Sequence, residues 1–124
     1  MSIEAENILE FFDSPSNSPF VIEHRHEEFT SVCPLTGHPD FGVITVRYCP
    51  AAVCVELKSL KLYFHAFRNE GMFFEAVTNM IRDDLARTMS PAWMQIIADF
   101  RGRGGVRSTV RANYGDVPDH WLAH

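Results

Sequence analysis

Residues 74–89, FEAVTNMIRDDLARTM, decide the fold, because their apolar side chains recur with the period of an α-helix. Polar and charged side chains surround a single apolar stripe, which consists of Phe74, Val77, Ile81, Leu85 and Met89. The helix is expected to stop at Ser90-Pro91, because a residue that precedes proline is disfavoured in the α region. The pattern therefore predicts an amphipathic helix whose apolar stripe packs on the rest of the domain.

Strand-like segments lie on both sides of this helix. Upstream, residues 20–32 show mixed alternation, and β-branched and aromatic side chains fill residues 41–48. Downstream, residues 93–100 and 106–114 predict two strands that a glycine-rich turn at 102–105 connects. Two strands, helices and two further strands predict an α+β domain, built on an antiparallel sheet with two helices packed on one face.

A second helix is expected upstream of the first. Leu60, Phe64 and Phe67 recur at positions i, i+4 and i+7, which predicts a helix over residues 58–67. Residues 53–56 are expected to form a short extended segment that leads into this helix.

The N-terminal residues differ in composition from the rest of the chain. Residues 13–19 contain two prolines among Ser and Asn, which disfavour both a regular ladder and a helix. We therefore divide the chain into an N-terminal arm, residues 1–19, and a single domain, residues 20–124.

Composition limits the class of protein. The chain has 124 residues, of which 46% are apolar and 22% are charged, and no apolar run approaches the roughly 18 residues of a membrane helix. The acidic start lacks the features of a secretory signal, so we expect a cytoplasmic location and free cysteines. A net charge of −5 disfavours nucleic acid as a direct partner and favours a small-molecule substrate.

The loop from Cys33 to Asp40 combines a nucleophile with an acid. Pro34, Gly37 and Pro39 favour a tight loop of fixed shape, which can fold the acid back beside the thiol to deliver a proton. Spacing alone leaves an alternative open, in which Cys33 is a small buried hydrophobe and Asp40 caps a turn. The other two cysteines, in contrast, are expected in the core.

Two glutamates are also candidates for ligand binding, Glu56 at a strand end and Glu75 in the first turn of the strong helix. A carboxylate in a first helical turn is favourable by itself, because the helix dipole stabilises it. The alternative is a carboxylate that binds two parallel N–H donors, such as the amide and amine edge of guanine.

Basic residues offer a candidate phosphate site. Residues 100–115 contain no acid and four arginines, Arg101, Arg103, Arg107 and Arg111. With nearby glycines and with Lys58 and Lys61, these arginines suit a phosphate-bearing cofactor, although alternating arginines also describe a solvated strand face. The glycines precede a strand-like run, so no dinucleotide fingerprint is present, and the absence of a Cys-x-x-Cys pair disfavours a metal site.

Four segments carry a family resemblance: EFTSVCPLTGHPDF at residues 28–41, VELKSLKLY at 55–63, FRNEG at 67–71 and RGG at 103–105. Together they resemble the NADPH-dependent 7-cyano-7-deazaguanine reductases, the nitrile reductases of queuosine biosynthesis. The resemblance implies a tunnelling fold like that of GTP cyclohydrolase. It also implies a ring-shaped homo-oligomer with sites at subunit interfaces.

The resemblance assigns chemistry to the Cys33 loop and substrate binding to two other segments. Cys33 matches the nucleophile that forms a covalent thioimide with the nitrile carbon, and Asp40 matches the proton donor to the nitrile nitrogen. Glu75 matches the glutamate that binds the deazaguanine edge. Other positions implied to hold substrate are Val55, Glu56, Leu57 and Phe74.

The resemblance also implies that Lys58, Arg103 and Gly104 approach NADPH, of which two equivalents are used in turn. One position departs from the family pattern, since Phe74 stands where histidine is common. Two alternatives remain open. One is an amidinotransferase of archaeosine synthesis, which resembles the reductase in fold, nucleophile and acid but adds ammonia. The other, motivated by Phe74, is a ring-forming binding protein without turnover. The segment Lys58-Ser59-Leu60-Lys61 favours the reductase, because only that enzyme needs NADPH.

Overall fold

A computed structural model describes residues 3–122, apart from the side chain of Arg103. Within that part, six strands and four helices follow one another along the chain. Their order and bounds are α1 (Ala5–Ile8), β1 (Phe11–Asp13), β2 (Ile22–Val32), β3 (Pro39–Cys49), β4 (Val53–Val55), α2 (Leu57–His65), α3 (Phe74–Met89), β5 (Trp93–Arg103), β6 (Val106–Gly115) and α4 (Asp119–Leu122).

The main sheet contains four antiparallel strands in the order β2-β3-β5-β6. A second, two-stranded antiparallel sheet joins β1 to β4. The strands of the main sheet match the four expected runs, although β2 begins at Ile22, two residues later than expected. The turn between β5 and β6 is shorter than expected, because β5 continues to Arg103. Only Gly104 and Gly105 form that turn, both with positive φ.

Helices α2 and α3 pack on one face of the main sheet, where their apolar stripes form the core. Val77, Ile81 and Leu85 of α3 are fully buried, and they share one cluster with Ile96 and Phe100 of β5. The α+β class and the packing of two helices on one sheet face are therefore confirmed. Helix α3 ends as expected before Pro91, where Ser90 adopts the left-handed region with φ of 45°.

The first described residues, from Ile3 onward, pack against the domain. Ala5 and Leu9 are buried in the main core, and the N–H group of Glu10 donates a 2.9 Å hydrogen bond to Ser59 Oγ. Residues 14–21 contain no helix or strand, as their prolines indicate. The division of the chain at residue 19 remains a prediction.

The opposite face of the main sheet is polar. Arg47 is buried there, and its guanidinium donates to Glu23 Oε1 at 2.8 Å and to Gln95 Oε1 at 2.9 Å. The ring of Trp121 from α4 covers this guanidinium at 4.7 Å. Among the described residues, no helix is long and apolar enough to span a membrane.

Candidate functional site

The Cys33 loop holds its shape through its own hydrogen bonds. The Cys33 N–H donates to the His38 carbonyl at 2.8 Å, and the Cys33 carbonyl accepts from the Gly37 N–H at 2.8 Å. Gly37 has φ of +73°, a conformation that favours glycine. The loop is as tight as its sequence indicates, and it leads directly into β3, where Asp40 is the second residue.

The connection between α2 and α3 runs beside the end of β2. The Val32 N–H donates to the Glu70 carbonyl at 3.1 Å, and the Val32 carbonyl accepts from the Met72 N–H at 3.2 Å. Gly71 lies between Glu70 and Met72 in the chain, and a β-carbon at Gly71 would lie 3.5 Å from Pro34 Cα. These contacts hold the start of α3 next to Cys33.

The two segments enclose a cavity of about 110 Å³, which we call the Cys33 pocket. Its lining residues are Cys33, Pro34, Leu35, Asp40, Met72, Phe73, Phe74 and Glu75. Cys33 is 4% exposed and Asp40 is 5% exposed, so the nucleophile and the acid expected from sequence share one buried place. The cavity is smaller than the roughly 300 Å³ of a typical ligand site, so the pocket of one chain is small for a ligand site.

Phe74 has a structural contact as well as a place in the pocket. Its ring stacks on the buried ring of Phe100, with centroids 3.9 Å apart and planes 6° apart. Phe74 thus packs against the core, whereas the neighbouring Phe73 is 57% exposed. Both aromatic residues lie directly before Glu75, which is exposed in the first turn of α3.

Glu56 caps helix α2. Its carboxylate accepts hydrogen bonds from the Lys58 N–H at 2.7 Å and the Ser59 N–H at 2.9 Å. These two backbone hydrogen bonds, followed by the charge of Lys58, hold the pKa of Glu56 below its ordinary value. Glu56 is only partly buried, so a ligand has access to its carboxylate.

Val55 and Leu57 flank this cap in different environments. Val55 is buried in β4, and its N–H donates to Tyr48 Oη at 3.1 Å. Leu57, at the start of α2, is 61% exposed. The segment from Val55 to Leu57 therefore presents Leu57 and the Glu56 carboxylate to solvent.

Between β2 and α2 lies a larger cavity of about 650 Å³, which we call the α2 groove. Its lining residues are Glu23, His24, Arg25, His26, Glu56, Leu57, Lys58, Leu60, Lys61 and Phe64. His26 stacks on Phe64 with ring centroids 5.0 Å apart, and burial lowers the pKa of His26. Arg25, Lys58 and Lys61 supply positive charge that suits phosphate groups.

The residues that were expected to bind the cofactor do not all lie in one place within a single chain. Lys58 lies in the α2 groove, whereas Gly104 lies at the β5–β6 turn and does not line that groove. A β-carbon at Gly104 would have no heavy atom within 4 Å, so the backbone there is open to a ligand. The side chain of Arg103 lies outside the described part of the structure.

The other arginines of this region behave as an exposed strand face. Arg107 donates two hydrogen bonds to the carboxylate of Asp99, at 3.0 and 2.8 Å, and this contact lowers the pKa of Asp99. The Arg101 guanidinium lies over the ring of Phe41 at 5.6 Å. These contacts favour the strand-face interpretation for Arg107, which already has an acidic partner.

Sequence reasoning missed three residues around the Cys33 pocket. Met72 and Phe73 line it, and the sequence feature that could have identified them is their position within three residues of Glu75. Ser31 is fully buried and lies opposite Asp40 in the β2–β3 ladder. In the part of the chain that the structure describes, no group of three or more His, Cys, Asp or Glu residues is placed to hold a metal ion.

Comparison with known proteins identifies similar sequences. A family model described as QueF-like protein matches residues 39–119. An NADPH-dependent 7-cyano-7-deazaguanine reductase from Anaeromyxobacter sp. (strain K) is 50% identical over 119 residues, which cover 95% of this chain and 98% of the relative. A reductase of the same name from Chloroherpeton thalassium is 52% identical over 108 residues, which cover 86% of this chain and 93% of the relative.

Comparison with solved structures gives a similar fold. The crystal structure of the archaeosine synthase QueF-Like in the apo form has a TM-score of 0.74 and covers 82% of this chain and 99% of that chain. Its sequence identity is 21%, so the similarity concerns the fold alone.

Proposed function

This chain belongs to the family of NADPH-dependent 7-cyano-7-deazaguanine reductases, and from this premise we propose that it reduces the nitrile of 7-cyano-7-deazaguanine to 7-aminomethyl-7-deazaguanine with NADPH, in queuosine biosynthesis. The observation that carries the proposal is the Cys33 pocket, where Cys33, Asp40 and Glu75 meet. These residues supply a nucleophile, a proton donor and a carboxylate for the purine edge.

The first chemical step is the addition of the Cys33 thiolate to the nitrile carbon. A sulfur–carbon bond forms, the carbon–nitrogen triple bond becomes a double bond, and Asp40 transfers its proton to the nitrogen. The product is a neutral thioimide attached to Cys33, and Asp40 is left as a carboxylate. The N-terminal end of α3 lines the same pocket through Phe74 and Glu75.

Burial protects the covalent intermediate. Cys33 and Asp40 are almost fully buried, so water has little access to the thioimide carbon. Glu75 binds the amide and amine edge of the purine through two charge-assisted hydrogen bonds. Phe73 is exposed at the pocket and offers an aromatic surface to the purine ring.

The α2 groove fits a phosphate-bearing cofactor. Lys58 and Lys61 lie on the accessible side of α2, and Gly104 offers an open backbone at a second place. When bound, NADPH supplies hydride, of which a nitrile needs two equivalents to become a primary amine. Lys58 and Lys61 are proposed to bind its phosphate groups.

The active site is completed between copies of the chain in a ring-shaped homo-oligomer. Two observations support this proposal: the Cys33 pocket and the α2 groove are separate in one chain, and the pocket alone is small. Leu57 beside the groove and Leu35 beside the pocket are 61% and 81% exposed. Contact with a neighbouring subunit would remove these apolar side chains from water.

Two assays on the same protein test the proposed function. NADPH oxidation is measured with 7-cyano-7-deazaguanine, and amidine formation is measured in parallel with ammonia. We expect NADPH oxidation that depends on the nitrile and is abolished in Cys33→Ala but retained in Cys49→Ala. Amidine formation without NADPH oxidation would replace the reductase by an amidinotransferase, and neither activity would indicate a binding protein.

A further inference from the structure

Ser31 carries a buried hydroxyl group that the proposed mechanism does not yet use. The residue is 0% exposed, and its Oγ atom has no hydrogen-bond partner among the described residues. A buried polar atom without a partner is uncommon in proteins, because its loss of water contacts is not compensated. An alanine would fill nearly the same space without this cost, so the hydroxyl needs an explanation.

The strand register places Ser31 directly opposite Asp40. The two residues are Cα partners in the β2–β3 ladder, one residue before the ladder ends at Val32 and Pro39. Directly opposed side chains in an antiparallel pair have β-carbons about 4.5 to 5.5 Å apart. A serine hydroxyl on its single rotatable bond can therefore reach a carboxylate on the opposing residue.

Both side chains lie on the helix-covered face of the sheet. Ser31 shares its face of β2 with Phe29, and Asp40 shares its face of β3 with Ile44, and both apolar residues belong to the core. The residues on either side of Asp40 are exposed, as strand alternation requires. Ser31 is thus enclosed in the protein beside the acid that lines the Cys33 pocket.

We propose that Ser31 is a positioning residue for Asp40, whose hydroxyl donates a hydrogen bond to the Asp40 carboxylate that forms during the reaction. The inference rests on the proposed function, in which Asp40 gives its proton to the nitrile nitrogen. That transfer leaves a negative charge in a buried place, where a donor is needed to stabilise it. A serine hydroxyl can turn toward this charge as it develops, because its hydrogen is free to rotate.

The central test is the rate of adduct formation in Ser31→Ala, measured by mass spectrometry with the nitrile substrate and without NADPH. We expect the rate to fall about 10- to 100-fold, as for the loss of a hydrogen bond to a charged group. Substrate affinity should stay the same, because Ser31 does not line the Cys33 pocket. The melting temperature should be equal or higher, because the variant loses an unpaired buried hydroxyl.

Two further variants separate the hydroxyl from the space it fills. Ser31→Thr keeps a hydroxyl on the same β-carbon and should react faster than Ser31→Ala. Thr30→Ala removes a hydroxyl from the next residue, which points to the other face of β2, and should react like the wild type. An equal loss of rate in Thr30→Ala and Ser31→Ala would overturn the proposal.

A double-mutant cycle tests whether Ser31 acts through Asp40. In the background of Asp40→Asn, the change Ser31→Ala should have no further effect on the rate of adduct formation. Multiplicative effects of the two changes would overturn the proposal, and so would a wild-type rate in Ser31→Ala. Either result would contradict only the role of Ser31, because the wild-type protein would still form the adduct. A wild-type protein that forms no adduct would instead contradict the proposed function.

Discussion

Cys33 is the single cysteine, among the three in the chain, that lines the Cys33 pocket. The protein mixed with the nitrile is therefore expected to gain the mass of one substrate molecule per chain, because the thioimide is covalent. Mass spectrometry of intact protein checks this. Cys33→Ala should lose the adduct, whereas Cys49→Ala and Cys54→Ala should keep it, and an adduct in Cys33→Ala would remove Cys33 from its proposed role.

Glu75 is proposed to bind the purine by charge as well as by shape. Glu75→Gln keeps the size of the side chain but loses its charge, and it should weaken substrate binding by roughly tenfold or more, since charge-assisted hydrogen bonds contribute about 1.5 to 3 kcal/mol. Binding titrations measure this effect. Glu70→Gln is a suitable control, because the contact of Glu70 with Val32 uses its backbone carbonyl. Unchanged affinity in Glu75→Gln would exclude Glu75 from the site.

Individual residues differ in how far sequence alone could locate them. Proximity of Cys33 and Asp40 could be expected, because prolines and a glycine restrict the short loop between them, but only the family resemblance decided their chemical roles. Glu75 could be assigned only through the family resemblance, since a first-turn glutamate is common in any helix. Ser31 was missed, because its interest lies in its position opposite Asp40 and in its unpaired hydroxyl. Both depend on the register of β2 and β3, which the sequence does not show.

Between the elements α3 and β5, the stack of Phe74 on Phe100 joins the helix start to the sheet. Phe74→His is expected to lower stability by about 1 kcal/mol, because it weakens an aromatic contact and buries polar ring atoms. Thermal melts measure the loss, and Phe73→His is the exposed control. A variant with unchanged stability and altered substrate affinity would instead make Phe74 a substrate contact.

At the start of α2, the Glu56 cap makes stability depend on pH. Its pKa is lowered in the folded protein, so the charge stabilises the fold above the ordinary value of 4.5, and this contribution is lost as pH falls further. Glu56→Gln should therefore melt at a lower temperature than the wild type at pH 7. The difference should shrink toward about pH 3. A difference that does not change with pH would contradict a contribution from charge.

Elements with a strong local signal were predictable. Helix α3 has a clear period and a proline after its end, and the observed helix, Phe74–Met89, matches the expected one. The short α1 and β1 were missed, because a three-residue strand has almost no pattern of its own. Strand β1 depends on its pairing with β4, about 40 residues later in the chain, which no local rule shows.

For the whole molecule, a shared active site predicts that two inactive variants restore activity in each other. Cys33→Ala and Lys58→Ala should each be inactive alone, since one lacks the nucleophile and the other a cofactor contact. If each site combines Cys33 of one subunit with Lys58 of another, random mixed oligomers should regain about one quarter of wild-type NADPH oxidation. The variants are mixed after unfolding and refolded together. No recovery in oligomers shown to be mixed would place both residues within one chain's site.

The hydrogen bonds of Val32 to Glu70 and Met72 join the nucleophile's loop to the segment before α3. Opening of either segment to solvent breaks these hydrogen bonds, so we expect the amide protons of the two segments to exchange as one cooperative unit. A ligand that holds only the start of α3 therefore also slows the opening of the loop that carries Cys33. If Glu75 binds the purine edge as proposed, substrate binding and the rigidity of the Cys33 loop are thermodynamically linked, although Cys33 and Glu75 lie about 40 residues apart in the chain.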